Sequence, residues 1–252
     1  LIFFFFFIMV FPSSAPFPED FRSNVFPQPL IVPIACSSVW EAHASLEGGV
    51  VLPDVGFVEP MLRRRLSPLA KMTLRVAYDC ARDVPDVRIV YASRHGELLR
   101  TTTMLESLAA KEELSPTLFS MSVLNASAGL FSILQKSTAP STAISAGRAS
   151  LGHGLLEAGL QLAQQPAQPV LFVYADEPAP AVYQASESPE AKAHALALLL
   201  ESSAAMRVCC SFTAGRTAQS NEEQSHAFMR CLDHGESEWS EGGRTWRWKK
   251  DA

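Results

Sequence analysis

The sequence predicts an α/β fold, a mixed and mostly parallel β-sheet with helices packed on it, and three neighbouring patterns predict it. Residues 141–145 alternate small and β-branched side chains after Pro140 and stop at Ala146-Gly147, which reads as a strand ending in a tight turn. Leu151, Leu155, Leu156, Ala158, Leu160 and Leu162 then recur at helical spacing up to Gln165. Residues 170–174 form an unbroken apolar run, as in a strand buried on both faces. Strand, helix and buried strand in that order make a βαβ unit, and hence a parallel sheet. The side chain that follows such a strand and turn is presented to a cleft.

The other elements follow in chain order. Residues 30–35 read as an apolar first strand and 40–48 as a short helical or irregular piece. After a loop at 53–60, Leu62, Leu66, Leu69, Met72, Val76 and Ala77 set one buried stripe on an amphipathic helix over 62–82, with Arg63, Arg64 and Arg65 as its basic start. A second strand is expected at 87–92 and a helix at 101–113 with Met104, Leu105 and Leu108 inward. Between them, His95 with Glu97 offers a general base and its orienting carboxylate, or loop residues bonding to backbone at a strand end. Residues 115–125 form a loop in which Asn125 is expected to satisfy backbone groups of a buried turn.

Beyond residue 177 a Pro-rich loop covers 178–189, and 193–200 and 206–213 read as antiparallel strands completing the sheet. A polar linker at 215–222, a helix at 223–233 and a hairpin at 239–248 centred on Gly242-Gly243 end the chain. Trp239, Trp246 and Trp248 on that hairpin are expected to be a lid on the core or a surface for a partner.

The segments RRRLSPLAKM (63–72), SRHGELLRT (93–101) and SPTLFSMSVLNASAG (115–129) resemble the synthase-like subunits encoded with aryl polyene pigment pathways. More broadly, residues 115–177 resemble the N-terminal half of a β-ketoacyl synthase of the thiolase superfamily. The resemblance implies a thiolase-like half fold of βαβαβαββ order and a chain-length-factor-like partner of an active β-ketoacyl-ACP synthase. Leu124, where close relatives are expected to carry His, departs from the pattern.

In that family a Cys nucleophile lies eight residues after the strand-opening proline and ten before a small helix residue. Both spacings, from Pro140 and from Ala158, arrive at Arg148. Laying TAISAG over the synthase motif TACASG instead puts Ile144 there, with Gly154 at the small-residue position. Neither side chain is a nucleophile, so thioester exchange of the Cys type is not expected. The resemblance places Leu118, with Phe119 beside it, at the gate reaching into a neighbouring subunit's acyl pocket, unless both fill this chain's own core. It also makes Ser141, Thr142 and Ile144 a strand that pairs across a subunit interface. Arg63, Arg64 and Arg65 would then contact an acidic acyl carrier protein, or form a solvated face. His153, one turn into the following helix, reads as a polar helix residue.

Length and composition set bounds. A chain of 252 residues buries one sizeable core, whereas the resembling full synthases contain two such halves. A 48% hydrophobic and 19% charged composition is that of a globular protein. The net charge of −5, with no basic stripe, weighs against a nucleic-acid partner. Cys36, Cys80, Cys209, Cys210 and Cys231 are odd in number and irregularly spaced, which suggests reduced thiols, neither disulfides nor zinc, and a cytoplasmic protein. No cofactor and no metal is expected. Residues 1–11 are nearly all Phe and Ile and too short to span a bilayer. They read as an incorrectly assigned translation start, a truncated signal or anchor, or a native hydrophobic arm. The expected organisation is an extension at 1–29, a synthase-like domain at 30–214 and a C-terminal helix and hairpin at 215–252. Two further functions stay open: a weak decarboxylase or acyltransferase acting on acyl carrier protein, through His95 or Arg148, and a self-associating scaffold.

Overall fold

In the computed structural model the described residues are 29–44, 50–186, 192–214 and 218–251. The expectations for residues 1–28, 45–48, 187–189 and 215–217 lie outside them. The strands of the main sheet are β1 (Leu30–Glu41), β4 (Arg88–Ala92), β5 (Ser141–Ile144), β6 (Val170–Asp176), β7 (His194–Leu200), β8 (Met206–Ala214), β9 (Glu236–Glu241) and β10 (Arg244–Asp251). A separate two-stranded ribbon is made by β2 (His43–Ala44) and β3 (Val50–Val51). The helices are α1 (Pro60–Arg63), α2 (Pro68–Ala81), α3 (Leu98–Ala109), α4 (Pro116–Ser120), α5 (Ala126–Gln135), α6 (Ser150–Gln164) and α7 (Gln224–His234).

The sheet order is β5-β4-β6-β7-β1-β8-β10-β9. The α/β, thiolase-like architecture is as expected, with the βαβ unit β5-α6-β6 spanning one end of the sheet and β4 lying between its two strands. Parallel pairing, however, is confined to β4 with β5 and with β6, and the remaining pairs are antiparallel. Parallel neighbours need a crossover, and the helices between β4 and β5 and between β5 and β6 supply it here. The strands expected at 193–200 and 206–213 are present as β7 and β8. They do not pair with each other, because β1 lies between them.

Alternation along the central strands builds two cores. Ile89, Tyr91, Leu171, Val173, Ala195, Ala197 and Leu199 face α2 and α5. Val90, Ala92, Val170, Phe172, Tyr174, Leu196, Leu198 and Leu200 face α6 and α7. Burial on both faces is why these strands read as continuous apolar runs. Gly154 lets α6 lie against that second face, since a Cβ there would sit 2.7 Å from both Ala92 Cβ and the Phe172 ring.

Two elements differ from the reading of the sequence. The helix expected over 62–82 is broken: Arg63 ends the one-turn α1, and Arg64 and Arg65 lie in the turn beyond it. Ser67 then caps α2, its Oγ accepting from Ala70 N at 2.9 Å, with Pro68 at the first helical position. Strand β1 runs on through Glu41 where irregular structure was expected, because β7 pairs with it over its whole second half. At the C-terminus the hairpin continues the main sheet through β8, and Trp239, Trp246 and Trp248 are 1%, 2% and 1% exposed. They are a lid on the core.

Candidate functional site

The turn from β5 into α6 is pinned by one buried hydroxyl. Ser150 Oγ accepts from Ala146 N at 2.9 Å and donates to Gly147 O at 2.7 Å. Gly147 has φ +59°, which an L side chain rarely adopts. Arg148 follows, just before the helix begins, while Ile144 is still within the strand and half-buried. Arg148 turns toward its own C-terminal region. Its Nη1 lies 3.2 Å from Glu241 Oε1, and its Nη2 donates to the carbonyls of Ser220 at 3.1 Å and Glu222 at 3.0 Å. The guanidinium also stands 5.6 Å from the centroid of the Trp239 ring. His153, one turn on, meets Trp246 edge-on at 5.1 Å, and burial lowers its pKa. A permanently charged group held by four partners anchors structure and offers no nucleophile.

A polar hub closes the same end of the sheet. Asp176, at the end of β6, accepts from Ser93 Oγ at 2.9 Å, Tyr174 Oη at 2.7 Å, Arg94 N at 3.0 Å and His95 N at 3.3 Å. Glu97 is bound elsewhere, to Ser67 Oγ at 2.7 Å and Arg100 Nε at 3.0 Å. Glu97 thus bonds to side chains of two other segments, neither orienting His95 nor capping loop backbone. The adjacent Glu177 has a carboxylate oxygen, Oε1, without solvent or a hydrogen-bond partner. Burial, with Glu97 and Asp176 nearby, pushes its pKa up to about 7, against the opposing pull of Arg100. Sequence reasoning missed this hub. The one signal for it was Asp176-Glu177 closing an apolar strand.

Leu118 and Phe119, on α4, are 44% and 61% exposed, so they do not fill this chain's own core. Leu105 and Leu108 were expected inward, yet they are 51% and 53% exposed, and α3 buries only Thr102. Asn125 precedes α5 half-buried, and its side chain makes no cap hydrogen bond, contrary to the expectation of a satisfied buried turn. Ser141 is exposed, Thr142 is half-buried with its Oγ1 accepting from Gln161 Nε2 at 3.3 Å, and Ile144 packs on the second core. Arg64 and Arg65 are exposed and Arg63 half-buried. Among the described residues no trio of His, Cys, Asp or Glu is placed to hold a metal ion, and no helix is long and apolar enough to cross a membrane.

Residues 38–249 match the family described as beta-ketoacyl synthase, N-terminal domain. The chain belongs to that family. Among solved structures it is similar to a chain from the complex of the ketosynthase ApeO with its chain length factor ApeC from Xenorhabdus doucetiae. The identity is 27% and the TM-score 0.74, over 87% of this chain and 99% of that one. A second likeness, to the ishigamide ketosynthase/chain length factor, has 17% identity and a TM-score of 0.54 over 81% of this chain and 73% of the other. That one speaks for the fold alone. No curated protein matches.

Proposed function

We propose that this chain is a noncatalytic, chain-length-factor-like subunit that pairs with a separate, Cys-bearing β-ketoacyl-ACP synthase in aryl polyene, polyketide or fatty-acid-like biosynthesis in the cytoplasm. The observation that carries the reading is the contrast between the two edges of the sheet. The outer strand β9 bears Glu236, Glu238 and Glu241, and charge of this kind deters edge-to-edge pairing. The opposite edge, β5, reads Ser-Thr-Ala-Ile without a charge, and the chain also leaves Leu118 and Phe119 on α4 and Leu105 and Leu108 on α3 exposed. An uncharged strand edge and uncovered apolar side chains each suit a protein partner. Similarity to a chain of a ketosynthase and chain-length-factor complex supports the synthase as that partner.

In this reading Ser141, Thr142 and Ile144 pair with the synthase, Asn125 and Phe119 line the contact, and Leu118 limits product length inside the partner's acyl tunnel. Arg148 takes the nucleophile's position and contributes structure in place of acylation. The exposed Arg64 and Arg65, with Arg63, meet the acidic acyl carrier protein.

The test is co-expression of the tagged chain with the ketosynthase encoded nearby, followed by affinity purification and native mass. A stoichiometric heterodimer is expected. A monomer that ignores the synthase overturns the reading, and a stable homodimer in its place turns it into the self-associating scaffold. In the heterodimer, Leu118→Trp is expected to shorten the product.

A further inference from the structure

Strand β1 changes faces part-way along. Val32 and Ile34 belong to the core under α6, whereas Cys36 and Trp40 pack against the core under α2. A regular strand would keep all four on one side, since its side chains alternate with a period of two. The register irregularity between Ile34 and Cys36 supplies the extra residue, Ala35, that makes the switch.

The switch turns Cys36 toward α2, against the core cluster that contains Cys80. The Cys80 thiol donates to Ala197 O at 3.6 Å, on the same strand β7 whose Leu199 pairs with Cys36. A polar rung holds β1 and α2 in register: Ser38 Oγ donates to Asp79 Oδ2 at 3.1 Å, and Arg75 Nε grips that carboxylate at 3.0 Å. Cys36 is half-exposed and Cys80 is buried. A reachable thiol and a sheltered one thus face each other across a fixed strand-helix contact.

We propose that Cys36 and Cys80 form a reversible disulfide between β1 and α2 when the protein meets a hydroperoxide. The Cys36 thiolate attacks the peroxide oxygen; the O–O bond breaks, Cys36 becomes a sulfenic acid and hydroxide leaves as water. The Cys80 thiol then attacks the Cys36 sulfur, giving up its proton as the S–S bond forms, and the sulfenic hydroxyl leaves with that proton as a second water. Two thiols lose two electrons and two protons, and the peroxide accepts both. Burial holds the Cys80 thiol far above its ordinary range, so Cys36 reacts first and Cys80 closes the bond. A dithiol reverses the bond by exchange.

The test is peptide mass mapping without reduction, on the full chain treated with hydrogen peroxide and then alkylated. Expected is a linked pair of peptides carrying Cys36 and Cys80, two hydrogens lighter than the reduced pair and separated by dithiothreitol. The cross-link should raise the melting temperature by roughly 5–10 °C. Cys36→Ser, which leaves Cys80 and its bond to Ala197 intact, should abolish both effects. Cys209, the other half-exposed thiol, is the internal control for oxidant access. A map in which Cys209 is oxidised and Cys80 remains alkylatable overturns the proposal. So does a linked pair that leaves the melting temperature of the wild-type chain equal to that of Cys36→Ser.

Discussion

Arg148 and Glu241 tie the turn before α6 to the last hairpin of the chain across 3.2 Å, with side chains 18% and 28% exposed. The ion pair is the smaller part of that tie. A partly exposed pair contributes about 0.5–1 kcal/mol, whereas hydrogen bonds from a charged donor to carbonyls are worth about 1.5–3 kcal/mol each. Arg148→Ala is therefore expected to destabilise the chain by about 2–4 kcal/mol, and Glu241→Gln by less than about 1 kcal/mol. Arg148→Lys should fall between, because an ammonium cannot reach both carbonyls and the carboxylate in the guanidinium's fixed geometry. Urea denaturation of the three variants checks the order. Equal losses for Arg148→Ala and Glu241→Gln would show that the carbonyl bonds add nothing.

Leu118 and Phe119 carry apolar surface that the folded chain does not use. Leu118→Asp and Phe119→Asp should leave the unfolding free energy within about 0.5 kcal/mol of wild type, since neither removes a core contact. Both should abolish recovery of the synthase in the co-purification. A variant that loses stability along with the partner would place these side chains in the fold and not at an interface.

Glu177 makes stability depend on pH with a definite sign. Its folded pKa is raised from 4.5 to about 7, so its contribution is intact below 4.5 and is lost as pH rises through 7. Glu177→Gln, which cannot ionise, should match wild type near pH 4.5 and become the more stable protein by on the order of 2 kcal/mol above pH 8. His153 and His226 have lowered values, which withdraw stability as pH falls below 6.5. Both variants share that effect, so it cancels in the difference. Chemical denaturation at pH 4.5, 6 and 8 measures it; a difference independent of pH would mean that Glu177 is already ionised without penalty.

The central sheet was legible because its strands are buried on both faces, so β6 and β7 announce themselves as Val170–Asp176 and His194–Leu200 without any partner in view. The hairpin was legible from Gly242 and Gly243, whose φ values of +58° and +74° are what the turn requires. What escaped depends on distant neighbours. Ser37, Ser38 and Glu41 do not look like strand, and only the bulge and β7 make them one. The stripe of Leu105 and Leu108 on α3 was visible, but periodicity identifies an apolar face without saying whether this chain or another covers it. Asp176 gathers groups from the loop after β4 and from β6, and no local pattern contains that meeting. Of the site, the residue types at the β5-α6 turn were readable, whereas the direction of Arg148 was set by residues 72 to 93 positions away.

Two helical glycines should respond in opposite directions to the same substitution. Alanine normally favours a helix interior by about 1 kcal/mol over glycine. At Gly129, within α5, an added Cβ meets nothing within 4 Å, so Gly129→Ala should stabilise the chain by up to about 1 kcal/mol. At Gly154 the added carbon would stand 2.7 Å from Ala92 Cβ and from Phe172, both on central strands with no room to retreat. Lifting α6 from the sheet to relieve that contact would open the core beneath Leu151, Leu155 and Ala158. Overpacking of this kind costs about 1–3 kcal/mol, which exceeds the gain in helix propensity. Gly154→Ala is therefore expected to lower stability by about 1–2 kcal/mol net, as read by denaturant midpoint at unchanged slope. If both substitutions stabilised the chain, α6 would have to be free to shift away from the sheet, and the close approach at Gly154 would not be a constraint on the fold.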